Sequence, residues 1–219
     1  MRVTVEIRRS SARFPERLTR RLTQHSFSFG DRYDPERLRF GPMVCHDDHL
    51  LAAGEGFETH RHSGVVIISW VLSGAVAHTG IGDPLVVLPG QVAVLRTGEG
   101  VEHSEVAAEP RTRFIQVWLA VDEPGGPSYD VSAPVLAPGE LSEVAAVDGA
   151  RFSVARLGIG DTVELPAAGR VHAFVATGAL TRSSLAEPLE AGDAFEMVDH
   201  PASSVTAAVP TELLVWAFD

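Results

Sequence analysis

"GEGFETHRHSGVVIISWVLSG", residues 54–74, places two imidazoles two positions apart, His60 and His62, ahead of a β-branched run closed by a glycine. Such a run favours an extended backbone, and in a strand residues two apart project to one face. His60 and His62 therefore point together while Arg61 points away. Downstream, "TGEGVEHSEV", residues 97–106, repeats the arrangement with His103 and Glu105. Three imidazoles and one carboxylate converging inside a small barrel make a site for one first-row divalent metal ion, with coordination positions left open to water or substrate. Fe(II) suits that donor set, and Ni(II), Mn(II), Cu(II) and Zn(II) are compatible with it.

The rest of the chain carries the same short-strand signature. "RVTVEI", "VVIISWVL", "LVVL", "VAVL", "RFIQVWLAV", "HAFVA" and "LLVWAF" are rich in Val, Ile, Phe and Trp, with Gly, Pro, Asp and Ser between them. This pattern predicts an all-β chain of antiparallel sandwich or barrel type. Helical periodicity fits only "PERLTRRL" (15–22) and "GELSEVAA" (139–146), so few peripheral helices are expected. A weak internal repeat sets the domain count. "SWVLSGAVAH" followed by "PLVVLPGQVAVL" matches "HAFVATGALT" followed by "EPLEAGDAFEM", with Gly74 opposite Gly178 and Gly90 opposite Gly192. The turn-rich "DEPGGPSYDVSAP" (122–134) reads as the joint. Two related antiparallel β-barrels follow: residues 1–125 with the metal ligands, and residues 126–219, where His172 stands without a companion and no metal is expected.

Composition narrows the function classes. A chain of 219 residues holds one large domain or two small ones, and 45% hydrophobic with 21% charged residues is ordinary for a globular protein. No apolar run approaches the ~18–20 residues that span a bilayer. The opening "MRVTVEIRRS" lacks a secretory pattern, and the single Cys45 cannot build a disulfide framework, so a cytoplasmic location is expected without membrane contact. Residues 1–39 hold 10 Arg against 5 acids and the remainder 8 Arg against 24 acids. That acidic body repels duplex DNA, and the basic segment lacks aromatic interleaving, so direct nucleic-acid binding is not expected. All 18 basic residues are Arg, which excludes lysine Schiff-base and phosphate-loop lysine chemistry.

Other polar features have plainer readings. In "CHDDH" (45–49) the side chains of Cys45, His46 and His49 suggest a second metal cluster, but Asp47 and Asp48 fit a turn between strands. His78 is expected near a barrel mouth in a structural or surface role. Trp70, Trp118 and Trp216 lie in apolar strands and read as core.

With these residues in view, "HSFSFGDRYDPERLRFG", "DDHLLAAGEGFETHRH", "WVLSGAVAH", "LPGQVAVLRTGEGVEHSE" and "RFIQVWLAV" resemble the successive motifs of the pirin family, a branch of the cupin superfamily. The resemblance runs from about His25 to the C-terminus and is strongest through residue 119. It implies a bicupin with one metal in the N-terminal barrel, held by His60, His62, His103 and Glu105. It also implies a flavonol 2,3-dioxygenase activity on a small aromatic, quercetin-like substrate, with Glu105 as candidate base. The alternative it carries is a non-enzymatic, metal-dependent regulator that binds a protein partner. Two departures stand out. Family members carry a glutamate four residues after the second histidine, where this chain has Val66, and a His-x-Asp-Ser run where it reads "HTGIGDP". Both point to an altered pocket wall and to the loss of a second base.

Overall fold

The computed structural model describes residues 3–122 and 125–219. It contains two compact units, one of Phe14–Pro134 and the other of the segment ending at Arg13 together with Val135–Asp219. The chain is all-β, and among the described residues the only helical element is the 3-10 turn Ser10–Ala12. No described helix is long and apolar enough to cross a membrane.

The Phe14–Pro134 unit is built from two antiparallel sheets. The first has seven strands in the order Ser128–Ser132, Val92–Arg96, Val65–Ser73, Thr112–Ala120, Met43–Leu51, Arg21–His25 and Phe14–Arg17. The second has four, in the order Gly56–His62, Val101–Ala107, Val76–Thr79 and Leu85–Val87. Period-2 alternation decides what faces inward. Val71, Val76, Ala93, Ala107 and Phe114 form an apolar core, whereas Thr23, His25, Asp47, His49, Gln116 and Trp118 line a cavity at its polar end.

The second unit repeats this plan. Its six-stranded sheet runs Thr4–Arg8, Ala194–Val198, Arg170–Thr177, Thr211–Phe218, Ala150–Leu157 and Leu141–Val147, and two short ladders accompany it, Thr162–Leu165 with Ser203–Thr206 and Ala179–Leu180 with Leu189–Glu190. The repeat glycines occupy matching corners. At Gly74 (φ 71°) a Cβ would lie 2.3 Å from Thr112 Oγ1, and at Gly178 (φ 82°) it would lie 2.5 Å from Thr211 Oγ1. In each unit that threonine hydroxyl accepts a 3.1 Å bond from the amide after the glycine, Ala75 or Ala179. Only a residue without a side chain permits both the left-handed φ and the close approach.

Several expectations are corrected. "PERLTRRL" joins the strands Phe14–Arg17 and Arg21–His25 through residues 18–20, and "GELSEVAA" runs into the strand Leu141–Val147. Arg-rich and Ala-rich stretches look helical in isolation, but pairing to neighbouring strands overrides that propensity. "CHDDH" is no turn: it forms the middle of the strand Met43–Leu51, with His46, Asp47 and His49 buried. Within "DEPGGPSYDVSAP", Glu123 and Pro124 lie outside the described residues. The rest is more than a joint, because Ser128–Ser132 pairs with Val92–Arg96 as the outer strand of the seven-stranded sheet. The compact units accordingly divide at Arg13/Phe14 and Pro134/Val135 and not at 125/126.

Candidate metal centre

The strands Gly56–His62 and Val101–Ala107 pair with His60 opposite His103 and His62 opposite Val101. Between His103 and Glu105 the register shifts, so that Glu105 faces Phe57. This bulge places the extra residue on the first strand, where Glu58 and Thr59 are both exposed. It lets Phe57 and His60, three apart in sequence, face one cavity. The looped-out backbone also supplies a fixed acceptor: His60 Nδ1 donates to the Glu58 carbonyl at 2.7 Å, which leaves the Nε2 lone pair free.

One ring nitrogen from each of His60, His62 and His103 lies within 4.8 Å of the others. Nε2 of His62 and Nε2 of His103 are buried without a hydrogen-bond partner among the described residues. Buried imidazole nitrogens normally find partners, so two orphans converging on one point fit a divalent cation. Burial and the neighbouring His60 ring hold the His62 pKa down to about 4. Burial, then His60, His78 and His62, hold that of His103 down to about 3. Both rings are neutral at physiological pH, the form that ligates metal.

The Glu105 carboxyl borders the same cavity but lies outside that cluster of three. Gln116 Nε2 donates to both of its oxygens, at 3.0 and 2.8 Å. The amide orientation of Gln116 is fixed in turn by the Trp118 indole N–H, which donates to its Oε1 at 2.9 Å. Burial raises the Glu105 pKa, while the Gln116 hydrogen bond and the His60 charge oppose that shift. Trp118, expected as core, packs edge-on to His62 with ring centroids 4.6 Å apart and forms a cavity wall.

His78 is not at a surface. It is buried, and its Nε2 lies 3.1 Å from His103 Nδ1 while its ring stacks on Tyr129 at 3.7 Å. With His103 Nδ1–H donating to His78, the Nε2 lone pair of His103 points to the cluster. Sequence spacing gives no sign of this, because His78 comes from the strand beside Val101–Ala107 and Tyr129 from the edge strand of the other sheet, which only the fold brings together. Val66 is fully buried and pairs with Leu119 and Arg96, on the face of the seven-stranded sheet opposite to Gln116 and Trp118. It is therefore no part of the pocket wall. Trp70 shares that opposite face and Trp216 stacks on Phe152 at 4.4 Å, both as buried core residues.

In the second unit the ladder Thr162–Leu165 with Ser203–Thr206 stands where the ligand strands stand in the first, with Val163 opposite Val205 and Leu165 opposite Ser203. Topologically, Val163, Leu165 and Val205 occupy the places of His60, His62 and His103, and all three are packed in an apolar core. His172, buried elsewhere in that unit, has its pKa held down to about 3, chiefly by burial.

Comparison with known proteins agrees with this all-β fold. The model of the family Pirin matches residues 6–119. A Mycobacterium tuberculosis protein named "Putative quercetin 2,3-dioxygenase" is 35% identical over 99% of this chain and 96% of its own. The quercetin 2,3-dioxygenase of Escherichia coli is 34% identical over 48% of each chain. The structure of the bacterial pirin YhhW of Escherichia coli in complex with nickel(II) superposes with a TM-score of 0.87 at 25% identity, covering 98% of this chain and 99% of that one. The family match over residues 6–119 and the 35% identity over nearly the whole chain, on the two-unit all-β fold described above, make the chain a member of the pirin family.

Proposed function

We propose that this pirin is a metal-dependent dioxygenase for flavonol-type or related enolic substrates, acting through one ion held by His60, His62, His103 and Glu105. The observation that carries the reading is the pair of orphaned, buried Nε2 atoms of His62 and His103, clustered with His60 where His60 and His62 line a cavity of about 390 Å³. A first-row divalent ion there, Fe(II) in this reading, supplies Lewis acidity that lowers the pKa of a coordinated hydroxyl. The chain's own residues do the rest. Glu58 and His78 fix the ring orientations of His60 and His103. Phe57 and Trp118 offer apolar walls to a planar aromatic molecule, and Glu105 adds a carboxylate to the same cavity, where it would join the three histidines in holding the ion. The acid-rich chain with its lone Cys45 accords with a cytoplasmic enzyme.

Elemental analysis of purified protein should find close to one transition-metal ion per chain, lost in the His60→Ala, His62→Ala double variant. Quercetin absorbance should then decay in air and persist under nitrogen. A fully metal-loaded protein that leaves quercetin intact in air would exclude the dioxygenase and turn attention to a metal-dependent protein-binding role.

A further inference from the structure

The cavity has a second polar wall that the metal cluster does not use. On the paired strands Arg21–His25 and Met43–Leu51, His25 stands opposite Asp47 and Thr23 opposite His49. His25 Nδ1 lies 2.8 Å from Asp47 Oδ2, with both side chains more than nine-tenths buried. A carboxylate only accepts, so Nδ1 carries a proton and, in the neutral ring, Nε2 presents a lone pair. That Nε2 is buried without a hydrogen-bond partner among the described residues, and His25 lines the cavity that also holds His60, His62 and Glu105. The Phe29 ring lies flat on the imidazole, with centroids 4.4 Å apart and planes 11° apart, and covers one of its faces. The neighbouring His49 is backed by the Thr23 hydroxyl at 2.8 Å, a partner with no charge to stabilise an imidazolium.

We infer that the His25–Asp47 pair is the general base of this cavity, taking the proton of an acidic enol or phenol hydroxyl of the substrate. The inference rests on the flavonol reading above. In the step, the substrate O–H bond breaks, the proton bonds to His25 Nε2, and the electron pair stays on the substrate oxygen. The resulting imidazolium is balanced by the Asp47 carboxylate, as a buried carboxylate holds and charges a catalytic histidine elsewhere. No oxidant enters. Glu105 is less suited to this task, because both of its oxygens already accept from Gln116. His25 would thus be a catalytic residue and Asp47 a positioning one, contributed by the two motifs, "HSFSFG" and "CHDDH", that the metal site leaves unexplained.

Rapid mixing of as-purified, full-length protein with quercetin under nitrogen, where oxidation cannot proceed, reads the appearance of the flavonol anion band. His25→Gln should slow that ionisation by about tenfold or more while the metal content stays at the wild-type level. Free imidazole added to His25→Gly should restore the rate, a rescue that a purely structural role for His25 would not show. Should either His25 variant lose metal or fold, the near-isosteric Asp47→Asn decides, and it should slow ionisation by a similar factor. An unchanged ionisation rate in the His25 and Asp47 variants would overturn the assignment and leave the flavonol reading standing. Failure of wild-type protein to bind quercetin at all would overturn the flavonol reading, and the base assignment with it.

Discussion

His78 illustrates how a single buried side chain sets the properties of another. Its bond to His103 Nδ1 directs the free Nε2 of His103, and its stacking on Tyr129 keeps it in place. His78→Phe keeps the stack and removes the bond, so metal affinity should fall about 10- to 100-fold, as is usual when the partner of a ligating histidine is lost. Competition with a chromophoric chelator measures it. At Val66 the expectation is of loss alone. The side chain is fully buried and faces away from the cavity, so Val66→Glu buries a carboxyl without a designed partner. A penalty of about 3 kcal/mol and a fall in Tm of roughly 6–12 °C should follow, with no gain in quercetin turnover. The family resemblance implied otherwise, since members carry a glutamate at the place of Val66, four residues after His62, and in an unbroken strand that even spacing would share the face of His62. The turn at Ser63 and Gly64 between Gly56–His62 and Val65–Ser73 breaks that parity.

At the scale of elements, the pairing of Gly56–His62 with Val101–Ala107 determines whether the imidazoles meet. Gly56 sits where a Cβ would come 2.1 Å from the Glu105 carbonyl oxygen and 2.7 Å from Val106 Cα, both backbone atoms that cannot swing aside. Gly56→Ala should therefore push the two strands apart at the bulge, lowering both metal content and thermal stability relative to a control Gly126→Ala, where φ is not left-handed and a Cβ meets no atom within 4 Å. The His-x-His and His-x-Glu spacings made the ligand strands legible, because period-2 geometry needs nothing beyond the local sequence. The apolar strands were legible for the same reason. What escaped was polar and non-local. Met43–Leu51 carries His46, Asp47, Asp48 and His49 in its centre, a composition that belongs to turns unless a cavity wall requires it. Gln116 and Trp118 looked like ordinary members of an apolar strand until the sheet brought them against Glu105 and His62. The bulge, too, leaves no mark on the sequence beyond the consecutive polar pair Glu58 and Thr59.

For the whole molecule, the two units share a plan but divide the labour, with histidines in one ladder and Val163, Leu165 and Val205 in the matching positions of the other. Removing the head of the chain damages the tail. In a fragment of residues 127–219 the strand Ala194–Val198 would lose its partner Thr4–Arg8, together with the Arg9 and Ser10 bonds to Asp193 at 2.7 Å. The fragment should show a non-cooperative thermal transition by circular dichroism, and fusing residues 3–13 to it through a flexible linker should restore cooperativity. Full cooperativity in the bare fragment would refute this. The same pairing orders events on the ribosome. Thr4–Arg8 is made long before its partner strand and finds its place only after residue 198 has been made, which at roughly 5–20 residues per second is a wait of about 10–40 s. Over that interval the unit beginning at Phe14 has its whole sequence available and is free to fold, while the leading strand stays unpaired. A strand synthesised early is thus among the last to be fixed, and a protein truncated before residue 194 would leave the ribosome with that strand exposed to chaperones and proteases.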